Sequence, residues 1–303
     1  MRPLILVLLI SGLCSTLFAE STLKNYVFAH RDTCDLTMDV YTPANIHPNT
    51  PCLLFVFGGG FKMGSRTHNE KFFRTMADSG YVVSAIDYRL GMKGVKQKGM
   101  ERINSVHKAI ELAVEDLFSA TGYLLKHTSE LNIDPKMIII SGSSAGAVTV
   151  LHADYELSNR TALSSVLPEN FHYAGVLSFA GGILSYNGVP AYKNSPAPTM
   201  FFHGMNDKLV NYDKIQILNK GFFGTNALVS IFEKNNYPYF AYRYRDMGHE
   251  IAVVPTKYNI SDICGFIRDY VISHQKLKKD MTVKNPELKP SFYGKWKPKD
   301  IYK

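Results

Sequence analysis

Gly142-Ser143-Ser144-Ala145-Gly146 is the stretch whose residue types and spacing point most directly to chemistry. An apolar run, Met137 to Ile140, precedes it, and a helix-like segment, Ala147 to Leu157, follows. A strand, then G-x-S-x-G, then a helix makes a sharp turn that presents its central serine at the tip. Ser144 is that residue, and Ser143 points into the protein. The helix N-terminus beneath supplies N–H groups and positive dipole character, which favour developing negative charge. Taken alone, the stretch has a plainer alternative, a glycine-rich turn with an incidental serine.

A serine hydroxyl needs a base to take its proton and an acid to orient that base. In a strand-elbow-helix architecture the partners follow in the order Ser, Asp/Glu, His. Phe202-His203-Gly204-Met205-Asn206-Asp207 ends a strand and places Asp207 just beyond it. Arg245-Asp246-Met247-Gly248-His249-Glu250 does the same for His249. The intervals of 63 residues from Ser144 to Asp207 and 42 from Asp207 to His249 each leave room for a helix and a strand. Both loops then lie at the carboxyl ends of strands, where open α/β sheets bind ligands. Asp213 and Asp246 compete for the acid role, and His203 for the base, although His203 reads better as ordering its own loop. The plainer alternatives are that Asp207 caps a following helix and that His249 is an ordinary loop histidine.

A fourth element is Gly58-Gly59-Gly60, at the end of the apolar run Cys52 to Phe57. Attack on an ester carbonyl builds an oxyanion that needs N–H donors aimed at it. Ala145 would give one, and Gly59 and Gly60 the others.

The elements that must position these residues follow from the apolar patterning. Leu23 to Ala29 and Leu36 to Tyr41 read as an antiparallel edge pair. Cys52 to Phe57, Tyr81 to Ile86, Tyr173 to Phe179, Thr199 to His203 and Tyr239 to Tyr244 read as further strands. Helices are expected over Asn69 to Ser79, Arg102 to His127, Asp213 to Lys220, Ala227 to Asn235 and Ile260 to His274. Strands alternating with helices give an α/β fold with a mainly parallel sheet covered on both faces. There is no internal repeat and no second composition regime, so residues 20–275 read as one domain.

The first 19 residues carry Arg2, an apolar run from Leu4 to Ile10, and a cleavage site after Ala19, the pattern of a signal peptide. The expected location is therefore secreted or periplasmic, with no stable membrane insertion once the signal is removed. Beyond the signal lie Cys34, Cys52 and Cys264, which allow at most one internal bridge. A Cys34–Cys52 pair and three separate thiols both remain open. No Cys/His cluster suggests a metal site.

The net charge of +8 is misleading, because residues 276–303 hold nine lysines against Asp280, Glu287 and Asp300. The main body is close to neutral, so no basic face argues for nucleic-acid binding. Residues 276–303 read as a solvated basic extension whose Phe292, Tyr293 and Trp296 fold its end back onto the body. No G-x-G-x-x-G follows the first parallel strand, which argues against a dinucleotide-binding enzyme.

With the Gly-triplet loop, the Gly-Ser-Ser-Ala-Gly elbow and the Asp and His loops in order, the chain resembles the α/β-hydrolase superfamily over nearly its whole mature length. Phe55-Val56-Phe57-Gly58-Gly59-Gly60-Phe61 and Asp87-Tyr88-Arg89-Leu90 are similar to the secreted esterase and carboxylesterase-like branch. Many relatives have His where Phe57 stands here. Tyr88 is expected to pack beneath the glycine loop. The resemblance implies ester hydrolysis through an acyl-enzyme. Ser144 attacks, His249 shuttles the proton, Asp207 fixes the imidazole, and Gly59, Gly60 and Ala145 hold the oxyanion. No cofactor or metal is implied.

The interval where many relatives insert a cap, Ala180 to Pro198, is only 19 residues long. A small-molecule or glycan-linked ester with a short acyl group is therefore expected, at an open site without a large cap. Two other readings are weighed: a secreted serine peptidase of prolyl-oligopeptidase-like type, and a non-catalytic binding protein on the same fold. The first usually has a propeller domain, which this chain lacks, and the second usually loses a member of the triad. Oligomeric state is not legible.

Overall fold

The computed structural model describes residues 20–32, 34–291 and 295–301. The stretch read as a signal peptide, together with Phe292 and Tyr293, lies outside the described residues. Among the described residues nine strands make the main sheet: β1 (Thr22–Arg31), β2 (Cys34–Thr42), β3 (Thr50–Val56), β4 (Val82–Ile86), β5 (Ile133–Ser143), β6 (Gly175–Phe179), β8 (Thr199–Gly204), β11 (Tyr239–Tyr244) and β12 (Lys278–Val283). Their order across it is β1-β2-β4-β3-β5-β6-β8-β11-β12. β1 and β2 pair antiparallel, as do β2 and β4, and every later pairing in the sheet is parallel. Cys52, Leu53, Leu54, Phe55 and Val56 are all inaccessible to solvent. That continuous apolar run is what a parallel strand covered on both faces requires.

The helices among the described residues are α1 (Glu70–Asp78), α2 (Gly99–Lys126), a single turn α3 (Thr128–Leu131), α4 (Ala145–Asn159), α5 (Thr225–Lys234), a short α6 (Pro255–Tyr258), α7 (Ile260–Phe266) and a last turn α8 (Pro298–Ile301). Aromatic contacts sort them between the two faces. Phe72 and Phe73 of α1 meet Phe55, and Phe72 meets Phe179. On the opposite face Phe232 of α5 meets Phe201, and Tyr192 bridges Phe232 to Tyr155 of α4. α2 packs on α4, and its Ala109, Ala113, Leu117 and Phe118 are fully buried.

Three segments differ from expectation. Residues read as a helix from Asp213 to Lys220 form instead a hairpin of β9 (Lys214–Ile217) and β10 (Lys220–Gly224). Lys214-Ile215-Gln216-Ile217 alternates with period two, and Leu218, at φ 54°, turns the chain back with Asn219. The hairpin adds β7 (Gly182–Ser185) to make a separate three-stranded sheet. Helix α7 changes from α to π winding at Ile267–Ile272. The third segment is Lys278–Val283, in the stretch read as a solvated extension, which pairs in parallel with β11 as the ninth strand. Arg243 fixes it with a two-pronged bond to Asp280 at 2.6 and 2.9 Å, and Leu277, Val283 and Leu288 pack against the core. Cys34, Cys52 and Cys264 form no disulfide with one another, so the Cys34–Cys52 pair is not made.

Asp154 on α4 is a buried carboxyl lining a cavity of about 430 Å³ at the opposite end of the sheet from Ser144. Burial pushes its pKa up to about 7, opposed in part by the Ala197 N–H, which donates to it. An unfolded aspartate titrates at about 3.9, so the folded state binds the extra proton. The benefit of holding that proton is complete below the unfolded value and is lost as pH rises towards the folded one. Stability is therefore expected to fall by roughly 2–4 kcal/mol between about pH 4 and pH 7 through this group. Asp154→Asn should raise the thermal midpoint by several degrees at about pH 8 and give no gain at about pH 4. Equal midpoints at the higher pH would refute the assignment.

Candidate active site

The elbow between β5 and α4 is built by close backbone approach. A methyl group on Gly142 would collide with the Gly146 carbonyl, and one on Gly146 with the Val56 carbonyl. Neither position has room for any side chain. Ser144 between them takes φ 53° and ψ −116°, a strained conformation for a residue with a Cβ. Its N–H donates to the Phe179 carbonyl at 2.8 Å, and its carbonyl accepts from Val148 at 2.9 Å. The turn is thus anchored to β6 on one side and to the helix on the other. Ser143 is turned inward, and its hydroxyl donates to the Ala252 carbonyl at 2.7 Å.

Ser144 Oγ lies 2.8 Å from His249 Nε2, and His249 Nδ1 lies 2.7 Å from Asp207 Oδ2. Asp207 is nearly inaccessible, and His249 is 8% exposed. Burial alone would raise the Asp207 pKa. The charge of His249 and the hydrogen bonds from His203 and His249 outweigh it and hold the carboxyl well below the usual carboxylate range. An ionised carboxylate only accepts, so Nδ1 carries the ring proton and the Nε2 lone pair faces the serine hydroxyl. That tautomer can take a proton from Ser144.

Asp207 Oδ1 accepts from the N–H groups of Leu209 and Val210 at 2.9 and 3.1 Å. The side chain therefore caps its own turn and not the start of a helix. The pattern Asp207-Lys208-Leu209-Val210 carries that signal, since aspartate commonly binds N–H groups two and three residues on. The acid and base loops are tied together by Met205 N–H to the Tyr244 carbonyl and Asn206 N–H to the Met247 carbonyl, both at 2.9 Å. The competing acids lie elsewhere. Asp213 accepts from Asn226 at 3.2 Å, and Asp246 faces Lys284 at 3.5 Å in solvent. His203 does not reach Ser144 but sits against Asp207, Nε2 to Oδ2 at 3.3 Å.

The Gly58 α-carbon lies against the nucleophile: a methyl there would come within 3.1 Å of Ser144 Cβ. Gly59 and Gly60 follow with φ 123° and 63°, and the Gly59 carbonyl accepts from Lys62 and Met63 at 3.1 and 3.2 Å. Tyr88 holds this loop from beneath. Its hydroxyl donates to the Phe57 carbonyl at 3.1 Å, its ring lies 4.5 Å from that of Phe57, and only 3% of the residue is exposed. Phe57 thus replaces a side-chain hydrogen bond with ring packing, and the Tyr88 hydroxyl supplies the polar tie. Ala145 opens α4, where the first N–H groups have no intrahelical acceptor. Among the described residues no group of three or more His, Cys, Asp or Glu side chains could hold a metal ion.

Strand order, elbow and loop placement give the chain the α/β-hydrolase fold. A family model described as BD-FAE matches residues 38–181, which run from β2 through the elbow to the end of β6. Gut esterase 1 of Caenorhabditis briggsae is 32% identical over 117 residues, covering 38% of this chain and 20% of that protein. The bifunctional acetylxylan esterase/xylanase XynS20E of Neocallimastix patriciarum is 26% identical over 178 residues, covering 58% and 22%. The chain spans about a fifth of the length of these curated relatives. Among solved structures, the apo form of Thermogutta terrifontis esterase 2 aligns with a TM-score of 0.60 at 22% identity, over 87% of this chain and 98% of the other. At that identity the likeness is one of fold.

Proposed function

We propose that the chain is a serine esterase that cleaves carboxylic esters through an acyl-enzyme. The observation that carries this reading is the relay from Ser144 Oγ to His249 Nε2 and from His249 Nδ1 to Asp207 Oδ2, at 2.8 and 2.7 Å, on a strained elbow. Ser144 attacks the ester carbonyl as His249 takes its proton on Nε2. The N–H groups of Ala145, Gly59 and Gly60 stabilise the tetrahedral oxyanion. The intermediate collapses, the alcohol leaves with the proton from Nε2, and Ser144 stays acylated. Water then repeats the sequence with His249 as base, releasing the acid. Asp207 fixes the imidazole and stabilises its charged form.

A short acyl group fits a chain whose interval from Gly181 to Pro198 contributes only β7 as regular structure. An acetylated glycan is the ester we favour, with the glycan as the leaving alcohol, because one relative is named an acetylxylan esterase. Export, read from residues 1–19, belongs to the same proposal.

The test is turnover of nitrophenyl acetate, butyrate and octanoate by the purified chain, beside fluorophosphonate labelling and a panel of acetylated and feruloylated glycans. Turnover should fall from acetate to octanoate, and the label should map to Ser144. A chain that neither turns over esters nor takes the label is not a serine esterase. Activity on nitrophenyl esters with none on any glycan removes the glycan assignment alone.

A further inference from the structure

The proposed mechanism leaves one fully buried imidazole without a task. His203, in β8, has no solvent exposure, yet it lies against the carboxylate that orients His249. Its Nε2 is 3.0 Å from the Val210 carbonyl and 3.3 Å from Asp207 Oδ2. A carbonyl can only accept, so Nε2 carries a hydrogen, and that hydrogen lies between the carbonyl and the carboxylate. Oδ2 is the same oxygen that receives the His249 Nδ1–H. Oδ1 is already filled by the N–H groups of Leu209 and Val210. Oδ1 therefore accepts two hydrogen bonds and Oδ2 one, and the His203 Nε2–H, shared with the Val210 carbonyl, lies against Oδ2 as its second neighbour.

The far edge of the imidazole is fixed as well. Nδ1 is 2.8 Å from the hydroxyl of Thr225, a fully buried residue that opens α5 directly after the β9–β10 hairpin. The Tyr212 ring packs edge-on at 5.5 Å, and its hydroxyl is held by Arg243. The titratable or charged groups facing His203 are thus Asp207, with His249 behind it, and Tyr212, with Arg243 behind it.

We infer that His203 is a positioning residue for the reaction: it locks the Asp207 carboxylate with Oδ2 towards His249, and Thr225 anchors it from α5. This rests on the esterase reading above. The second N–H against Oδ2 also spreads the carboxylate charge, which keeps the proton on His249 Nδ1 and not on the acid.

Two amide substitutions separate the two edges of the ring. His203→Gln carries an amide nitrogen near the place of Nε2 and keeps a donor for Asp207. His203→Asn puts its amide near the place of Nδ1 and keeps only the Thr225 partner. We expect His203→Gln to hold kcat within about 3-fold, and His203→Asn to lower it by about 10- to 50-fold with KM within about 2-fold. Losing a donor leaves more negative charge on Oδ2, so the acid limb of kcat/KM should move to higher pH in His203→Asn. The His249 Nδ1 proton, read by NMR in the resting chain, should shift or broaden in the same variant.

Equal kcat and equal limbs in the two variants would overturn the inference, as would His203→Asn keeping full activity while His203→Gln loses it. Thr225→Val covers the case in which both His203 variants fail to fold: a smaller fall in kcat with the same direction of limb shift supports the role, and no change in either refutes it. If the parent turns over no ester, the esterase reading fails. The NMR comparison still decides the positioning role, because it needs no substrate.

Discussion

Ser144→Ala is expected to lower kcat on a short-chain nitrophenyl ester by about a million-fold, the scale seen when a triad nucleophile is removed. KM should change little, and the folded state should lose about 1 kcal/mol at most, because His249 Nε2 loses its donor and alanine keeps the Cβ that strains the turn. Ser143→Ala is the paired control. It deletes the bond to the Ala252 carbonyl and should cost about 1 kcal/mol of stability. Most activity should remain, because Ser143 Oγ points away from His249. Activity surviving in Ser144→Ala, or vanishing only in Ser143→Ala, would show that the nucleophile has been misassigned. Fluorophosphonate labelling of each variant is the direct readout.

Asp207→Asn is the second large effect, expected at about 10⁴-fold in kcat. The neutral amide presents either a carbonyl oxygen or an NH₂ to His249 Nδ1. In the latter orientation the imidazole adopts the opposite tautomer and its Nε2–H faces the serine, which cannot then be deprotonated. In the former the tautomer survives, but the charge that stabilises the imidazolium is gone. The loss should fall on kcat, since Asp207 is nearly inaccessible and touches no substrate. Retained activity would hand the acid role to another carboxylate. Asp213 and Asp246 are poor heirs, since each already faces a partner away from His249.

The parts of this architecture that could be read beforehand are those with strong local signatures. The elbow was legible because two glycines flank a serine between an apolar run and a helix, and the space around Gly142 and Gly146 shows why nothing larger fits. The Asp207 and His249 loops were legible because each follows a buried strand. The β9–β10 hairpin reads as a helix because its period-two alternation lasts only four residues and Lys214 to Lys220 is exposed throughout, so no buried strand pattern extends it. β12 escaped for a related reason. A lysine-rich edge strand has one neighbour and little apolar surface, and its composition resembles that of a solvated segment. The contact of His203 with Asp207 depends on how the chain turns after β8, and no local sequence pattern fixes such a tertiary distance.

The ninth strand has a consequence for the molecule among its neighbours. Without it β11 would end the sheet, and an apolar, aromatic strand would offer its open N–H and C=O groups to any passing chain. β11 also leads directly into the loop that carries His249, so a foreign strand seated there would disturb the base. β12 moves the open border outward onto Lys278, Lys279 and Asp280, whose charges make a poor template for further pairing. The basic residues near the end of the chain thus act as a selvedge: they keep the sheet from growing at the margin nearest the proton relay.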